Sequence, residues 1–302
     1  MDTNQVGDIQ AAASVHAVPA GFRRVGVVGA GVIGTGVAHL FAQSGHDVIL
    51  VDTAPAQLDR AVGHIREHAR LYGFLMKDGP APDAVVARIN AGTDHAALAD
   101  ADFIIENIVE DWEAKRQVHA IIDGLAGPQV PVAVNTSAVP ITKVAGVGAH
   151  PGRVVGMHFM NPVPVMPVVE IIRAAHTDPR TLAAAQALVA QAGRQSIVVN
   201  DSPGFVTNRV MMLMVNEAMY LVHEGVSDAP DVDRLFKTCF GHKMGPLETA
   251  DLIGLDTVLK SLEMLYAEFS DSKYRPCPLL RHQVYAGRLG RKSGQGFYTY
   301  RA

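Results

Sequence analysis

From residue 25 to about residue 200 the chain alternates short apolar runs with longer stretches of mixed polarity. The runs at 25–28, 48–51, 103–106, 130–134, 154–157, 168–172 and 197–199 are nearly continuous in apolar, largely β-branched residues, as in strands buried on both faces. Between them, residues 57–77, 112–125 and 180–192 carry few breakers and read as helices of several turns. This alternation predicts an α/β unit with helices on both faces of a sheet. At Asp201-Ser202-Pro203 the pattern changes: Ser202 suits a helix cap, Pro203 suits the first helical position, and residues 205–224 are apolar on nearly every face. Met211, Met212, Met214 and Met219 are read as core of that helix. Strand-like alternation returns only at 296–300, so the chain divides into a loose tail (1–22), an α/β domain (23–200) and a smaller all-helical domain (201–302).

Composition narrows the function classes. The 302 residues are 48% hydrophobic and 19% charged, which fits two globular domains and rules out disorder along most of the chain. Lys and Arg number 26 against 30 acidic residues, and the net charge of -4 offers no basic footprint for nucleic acid or an anionic membrane. Cys239 and Cys277 form no CxxC pair and no zinc-ligand spacing; both are read as small core residues in a reducing, cytoplasmic compartment, with no metal implied. The first residues carry Asp2 and Asp8, no Lys or Arg and no apolar core of a signal, and the apolar stretch 25–42 is broken by Gly29, Gly31, Gly34 and Gly36 and contains His39, which argues against a membrane span.

Gly29-Ala30-Gly31-Val32-Ile33-Gly34 fits GxGxxG immediately after an apolar strand and opens a helix running to about Ser44. The first glycine permits the tight turn, the second lets the backbone approach a pyrophosphate, and the third lets helix and strand pack closely. Free N–H groups at the helix start, from Val32 onward, supply positive potential for the phosphates. At the end of the second strand stands Asp52, placed to accept the adenosine ribose hydroxyls and to repel a 2′-phosphate, so NAD is expected over NADP. A cap for the helix near Pro55 is the other use of Asp52. Together these features predict a Rossmann-type, doubly wound sheet.

Further along, Met157-His158-Phe159-Met160-Asn161-Pro162 puts a histidine at the end of an apolar strand, and Glu170 follows after three prolines. With Asn135-Thr136-Ser137, Val169-Glu170, Pro203-Gly204-Phe205 to Asn208-Arg209, Met244-Gly245-Pro246, Gly254-Leu255-Asp256 and Gly296-Phe297-Tyr298 in order, the chain resembles the 3-hydroxyacyl-CoA dehydrogenases over almost everything after the tail. The resemblance implies NAD-dependent, reversible oxidation of the 3-hydroxyl of an acyl thioester. It implies His158 as the base, Glu170 as its partner, and Ser137 and Asn208 as hydrogen-bonding groups around the substrate oxygen. Glu110, Lys115 and Asn135 fall among its cofactor-side residues. Plainer readings stand beside these: Ser137 as a cap before Ile141, Asn208 as a buried amide pairing with backbone, and Glu110 with Lys115 as a solvated charge pattern.

The chain departs from the family pattern at Ala138, Met160, Asn107 and Asp111, and Trp112 is its only tryptophan. Residues 67–78 hold a single lysine and are apolar between Leu71 and Met76, where CoA-dependent relatives often carry lysines for the nucleotide phosphates. A carrier-bound thioester is therefore expected as an alternative to CoA, with Arg66, Arg70 and Lys77 meeting an acidic acyl carrier protein. The subgroup suggested is the dehydrogenase of polyketide extender-unit pathways, acting on a glyceryl thioester. A non-catalytic NAD-binding protein of the same fold and a free-acid dehydrogenase with a lysine base are the other readings; no basic carboxylate clamp is found for the latter. A homodimer is expected, through the helix starting near Phe205 and the region 247–265.

Overall fold

The computed structural model describes residues 21–75, 80–137 and 139–300. Most of the expected tail, together with Met76, Lys77 and Ala138, lies outside the described residues, as do the side chains of Phe74 and Leu75. Phe22, assigned to the tail from sequence, is instead docked: its ring meets Phe103 edge-on at 5.4 Å and its N–H reaches the Gln191 side chain.

The α/β part runs β1 (Arg24–Val28), α1 (Val32–Gln43), β2 (Asp47–Val51), α2 (Pro55–Leu75), α3 (Pro82–Val86), β3 (Ile89–Gly92), β4 (Phe103–Glu106), α4 (Trp112–Leu125), β5 (Val132–Val134), α5 (Ile141–Ala145), β6 (Val154–His158), β7 (Val168–Arg173), α6 (Pro179–Gln191) and β8 (Gln195–Asn200). These strands form one sheet in the order β3-β2-β1-β4-β5-β6-β7-β8, parallel except for the antiparallel pair β6–β7. Strand order reverses between β1 and β4, and that reversal opens a crevice beyond their carboxyl ends where α/β sheets bind ligands. The central strands are buried on both faces, which is why they read as continuous apolar runs.

Several boundaries differ from the sequence reading. The strand expected from residue 130 begins at Val132, after Pro131, whose nitrogen cannot join a ladder. β3, Ile-Asn-Ala-Gly at the sheet edge with three of its four residues exposed, carries too little apolar signal to read. Near the end of the chain, residues 296–300 make only an isolated bridge instead of a strand.

The helical part comprises α7 (Thr207–His223), α8 (Ala229–Phe240), α9 (Pro246–Ile253), α10 (Leu255–Phe269) and α11 (Pro278–Tyr285) around its own apolar core. Ser202 and Pro203 do not start α7. Gly204 and Phe205 have left-handed backbones (φ 74° and 51°), so the chain turns there and the helix begins at Thr207. Met212 and Met219 are buried, Met211 is half-buried against the margin of the core, and Met214 is half-buried. Within the region 247–265, Leu247, Ala250, Leu255, Val258, Leu262 and Leu265 fill this chain's own core. Cys277 is buried, but Cys239 is exposed in the last turn of α8 and is no core residue. Among the described residues no helix is long and apolar enough to cross a membrane.

Candidate active site

The glycine turn follows β1. Gly29 adopts φ 95°, and a Cβ there would stand 2.7 Å from the Asn107 carbonyl oxygen. A Cβ on Gly34 would lie 1.9 Å from the Gly29 carbonyl oxygen, so only glycine lets α1 pack this close to β1. At Gly31, by contrast, an added Cβ meets nothing within 4 Å: it would project into the open crevice where a ligand's phosphates would sit. The first bond of α1 runs from Thr35 N–H to the Gly31 carbonyl, which leaves the N–H groups of Val32, Ile33 and Gly34 ahead of it, and Val32 is 75% exposed. Ile33 also packs its side chain on the main core. Asp52, half-buried just after β2, accepts the N–H of Ala30 at 2.8 Å and that of Ala54 at 2.9 Å. It thus fixes the glycine turn and braces the start of α2 at once. These features fit a dinucleotide.

Beyond β4 the structure corrects the sequence reading of Lys115. Its side chain is fully enclosed, at 0% exposure, with Nζ 2.8 and 3.0 Å from the two oxygens of Glu106. It is neither part of a solvated charge pattern nor open to a cofactor. α4, capped by Asp111 through the Ala114 N–H, presents Lys115 and His119 on one face, and His119 Nε2 meets the same carboxylate at 3.2 Å. Burial alone would raise the Glu106 pKa, but hydrogen bonds and charge from His119 and Lys115 outweigh it and hold the carboxyl below the usual carboxylate range. Lys115 also donates to the Asn135 carbonyl at 3.3 Å, tying the end of β4 to the turn after β5.

Asn135 is a brace as well. Its amide donates to Asn107 Oδ1 at 2.8 Å, and its Oδ1 accepts the Phe159 N–H at 3.3 Å, joining the ends of β4, β5 and β6. Glu110 is half-buried, accepts from the Thr136 hydroxyl and the Val139 N–H, and offers its carbonyl to Lys260 of α10 at 3.0 Å. Trp112 lies under the Lys143 ammonium, 4.2 Å from the ring centre.

The reactive pair is made by strand register. In the antiparallel β6–β7 ladder His158 lies directly opposite Glu170, so the two side chains share one face despite the proline-rich turn between them. His158 Nδ1 is 3.0 Å from Glu170 Oε2, and Nε2 is 3.2 Å from Ser137 Oγ. A carboxylate only accepts, so Nδ1 carries the proton and the Nε2 lone pair faces the Ser137 hydroxyl. Glu170 also accepts the Val206 N–H at 3.0 Å and the Thr207 hydroxyl at 2.7 Å. Its burial pushes the pKa up, but the hydrogen bonds from His158, Thr207 and Val206 reverse that and hold Glu170 ionised below its usual range.

Asn208 donates to the Ser137 carbonyl at 3.2 Å, which is the backbone pairing left open from sequence, and it reaches across from α7 to do so. Ser137 is not the cap of α5. Asp201, at the end of β8, accepts the N–H groups of Ile141 and Thr142 at 3.1 and 2.7 Å and takes that role. The sequence reading passed over Thr207, whose only signal was its place beside Asn208 in a matching motif. A cavity of about 550 Å³ opens near Phe22, Gln129 and Arg180, but it contains none of the paired residues above and does not bear on this chemistry.

Residues 24–202 match the family model of the 3-hydroxyacyl-CoA dehydrogenase NAD-binding domain, and residues 204–300 match that of the 3-hydroxyacyl-CoA dehydrogenase C-terminal domain. The chain belongs to the 3-hydroxyacyl-CoA dehydrogenase family and is an NAD-dependent enzyme of that class. It is 43% identical over 277 residues to a probable 3-hydroxybutyryl-CoA dehydrogenase of Deinococcus radiodurans, spanning 92% of this chain and 100% of that one. With the 3-hydroxybutyryl-CoA dehydrogenase of Bradyrhizobium diazoefficiens it shares 42% identity over 280 residues, 92% of this chain and 96% of the relative. The crystal structure of (S)-3-hydroxybutyryl-CoA dehydrogenase from Ralstonia eutropha matches with a TM-score of 0.88 at 42% identity, covering 93% of this chain and 100% of that one.

Proposed function

We propose that this enzyme interconverts a 3-hydroxyacyl thioester and its 3-oxo form, with His158 as general base in the oxidation and general acid in the reverse. The observation that carries this reading is the disposition of the two ring nitrogens, Nδ1 on Glu170 and Nε2 on Ser137. An imidazole with its second nitrogen held by a carboxylate can take the hydroxyl proton at Nε2, and Glu170 stabilises the imidazolium that results. Bound NAD supplies the acceptor for the hydride leaving C3. The Ser137 hydroxyl and the Asn208 amide donate toward the substrate oxygen as negative charge grows on it. Val32, Ile33 and Gly34 would hold the pyrophosphate and Asp52 the adenosine ribose.

For the carrier, CoA is supported by the names of the relatives. The second reading, a glyceryl thioester on an acyl carrier protein in extender-unit biosynthesis, draws on α2. There Arg66 is engaged by Asp83 at 3.2 Å, and an exposed Leu71 (57%) follows Arg70, which is itself exposed and stands where an acidic carrier would meet the helix. NADH consumption with acetoacetyl-CoA and with the same acyl group on a carrier protein separates the two. Turnover of the CoA thioester at equal or higher rate removes the reason for the carrier reading. Turnover only on the carrier establishes it, and none on either, with NADH still bound, favours an unrecognised substrate or the non-catalytic reading.

A homodimer in a cytoplasmic setting completes the proposal. With residues 247–265 largely turned inward, the exposed apolar side chains of the helical part include Val206 and Val210 at the start of α7, Leu252 and Tyr266, and also Val226, Leu235, Phe240 and Tyr285, each more than 40% exposed. Light scattering is expected to give a mass of twice 32.2 kDa; a monomer at micromolar concentration would contradict it.

A further inference from the structure

We propose that Thr207 is a positioning residue for the His158–Glu170 pair: from the first turn of α7 its hydroxyl shares Glu170 Oε2 with the imidazole and so sets how tightly the carboxylate holds the imidazole proton. The inference rests on the reading of His158 as the base and deepens it.

The geometry is specific. Thr207 Oγ1 lies 2.7 Å from Glu170 Oε2 and 3.3 Å from His158 Nδ1, while the Val206 and Thr207 N–H groups approach Oε1 at 3.0 and 3.4 Å. α7 has no side-chain cap from its own Val206, so a carboxylate from β7 closes its N-terminus. Glu170 therefore orients the histidine and caps a helix of the other part of the chain. Two donors compete for one oxygen. The more negative charge the Thr207 hydroxyl draws from Oε2, the less remains to stabilise a proton on the imidazole.

The groups facing the pair are few. From β6 and β7 come His158 and Glu170 themselves, directly opposite in register; from β8 comes Ile197, apolar, opposite Glu170. The turn after β5 contributes the Ser137 hydroxyl, and Phe205 places its ring edge-on to the imidazole at 5.7 Å. Among the described residues, the start of α7 contributes the Thr207 hydroxyl and the Val206 and Thr207 N–H dipoles. Among the described residues His158 is the titratable group that hydrogen-bonds Glu170, its other donors being the Val206 and Thr207 N–H groups and the Thr207 hydroxyl, so a change at Thr207 acts on the pair directly.

Thr207 as a whole is exposed although its hydroxyl reaches the buried carboxylate, so Thr207→Val removes the donor without leaving a void in the core. Losing that donor makes Glu170 a stronger acceptor for Nδ1–H and favours the imidazolium. The test is an NMR titration of His158 in the substrate-free enzyme, its signal identified by its absence in His158→Gln. Thr207→Val and Thr207→Ala are expected to raise the midpoint by about half a unit, and Thr207→Ser to leave it at the wild-type value. In active enzyme the acid limb of kcat/KM for oxidation moves up by the same amount. Equal midpoints in all four proteins would overturn the proposal, as would a drop in kcat with no movement of the pH profile. The substrate-free titration keeps its meaning even if no thioester is turned over, an outcome that would defeat the proposed reaction instead.

Discussion

His158→Gln is expected to lower kcat by about 10³-fold while NADH still binds with near wild-type affinity. His158 is 4% exposed and is placed by register, by Glu170 and by Ser137, and among the described residues no other base touches the Ser137 hydroxyl. The glycine turn and Asp52 take no support from His158, so cofactor binding has no reason to fail with it. Stopped-flow turnover together with NADH fluorescence titration separates the two effects. A loss of less than tenfold would mean that the proton leaves by another route, and a parallel loss of NADH binding would mean that the variant has damaged the fold.

Lys115→Met is expected to cost about 3–5 kcal/mol, because it leaves the Glu106 carboxylate buried with only His119 and a backbone N–H to offset its charge. At this chain length that is a fall in Tm on the order of 10 °C. The pH dependence has a definite sign. Glu106 has a depressed pKa in the folded state, so its stabilisation is complete above the unfolded carboxylate value and is lost as pH falls through the folded one. The variant's deficit is therefore largest near neutrality and shrinks in acid, where Glu106 takes up a proton. Calorimetry across that range checks it, and Lys115→Met combined with Glu106→Leu should recover most of the loss. A deficit that does not change with pH would show that Lys115 acts through packing alone.

The sheet was legible in the sequence because its central strands are enclosed on both faces and so appear as apolar runs. The dinucleotide turn was legible because GxGxxG and Asp52 are local features tied to the ends of two strands. His158, Glu170, Ser137 and Asn208 came from the family resemblance, and the structure brings all four together. What escaped were partnerships between residues far apart in the chain. Ser202 satisfied every local rule for a cap, yet the donors at the start of α7 go to Glu170, and those of α5 go to Asp201. Asp233 does the same for α9, accepting the N–H groups of Leu247 and Glu248 at 2.8 and 2.9 Å from fourteen and fifteen residues away. Lys115 looked solvated because its neighbours in sequence are polar; its partner Glu106 is nine residues back, at the end of a strand. Thr207 was invisible for the same reason, since its role exists only where α7 meets β7.

The most direct test of the proposed reaction is to give the enzyme NAD and 3-hydroxybutyryl-CoA carrying deuterium at C3. The expected result is deuterium in the NADH formed and a 3-oxo product, with both formed about 10³-fold more slowly in His158→Gln. NADH without the label, or no NADH from a thioester on either carrier while the cofactor still binds, would contradict it.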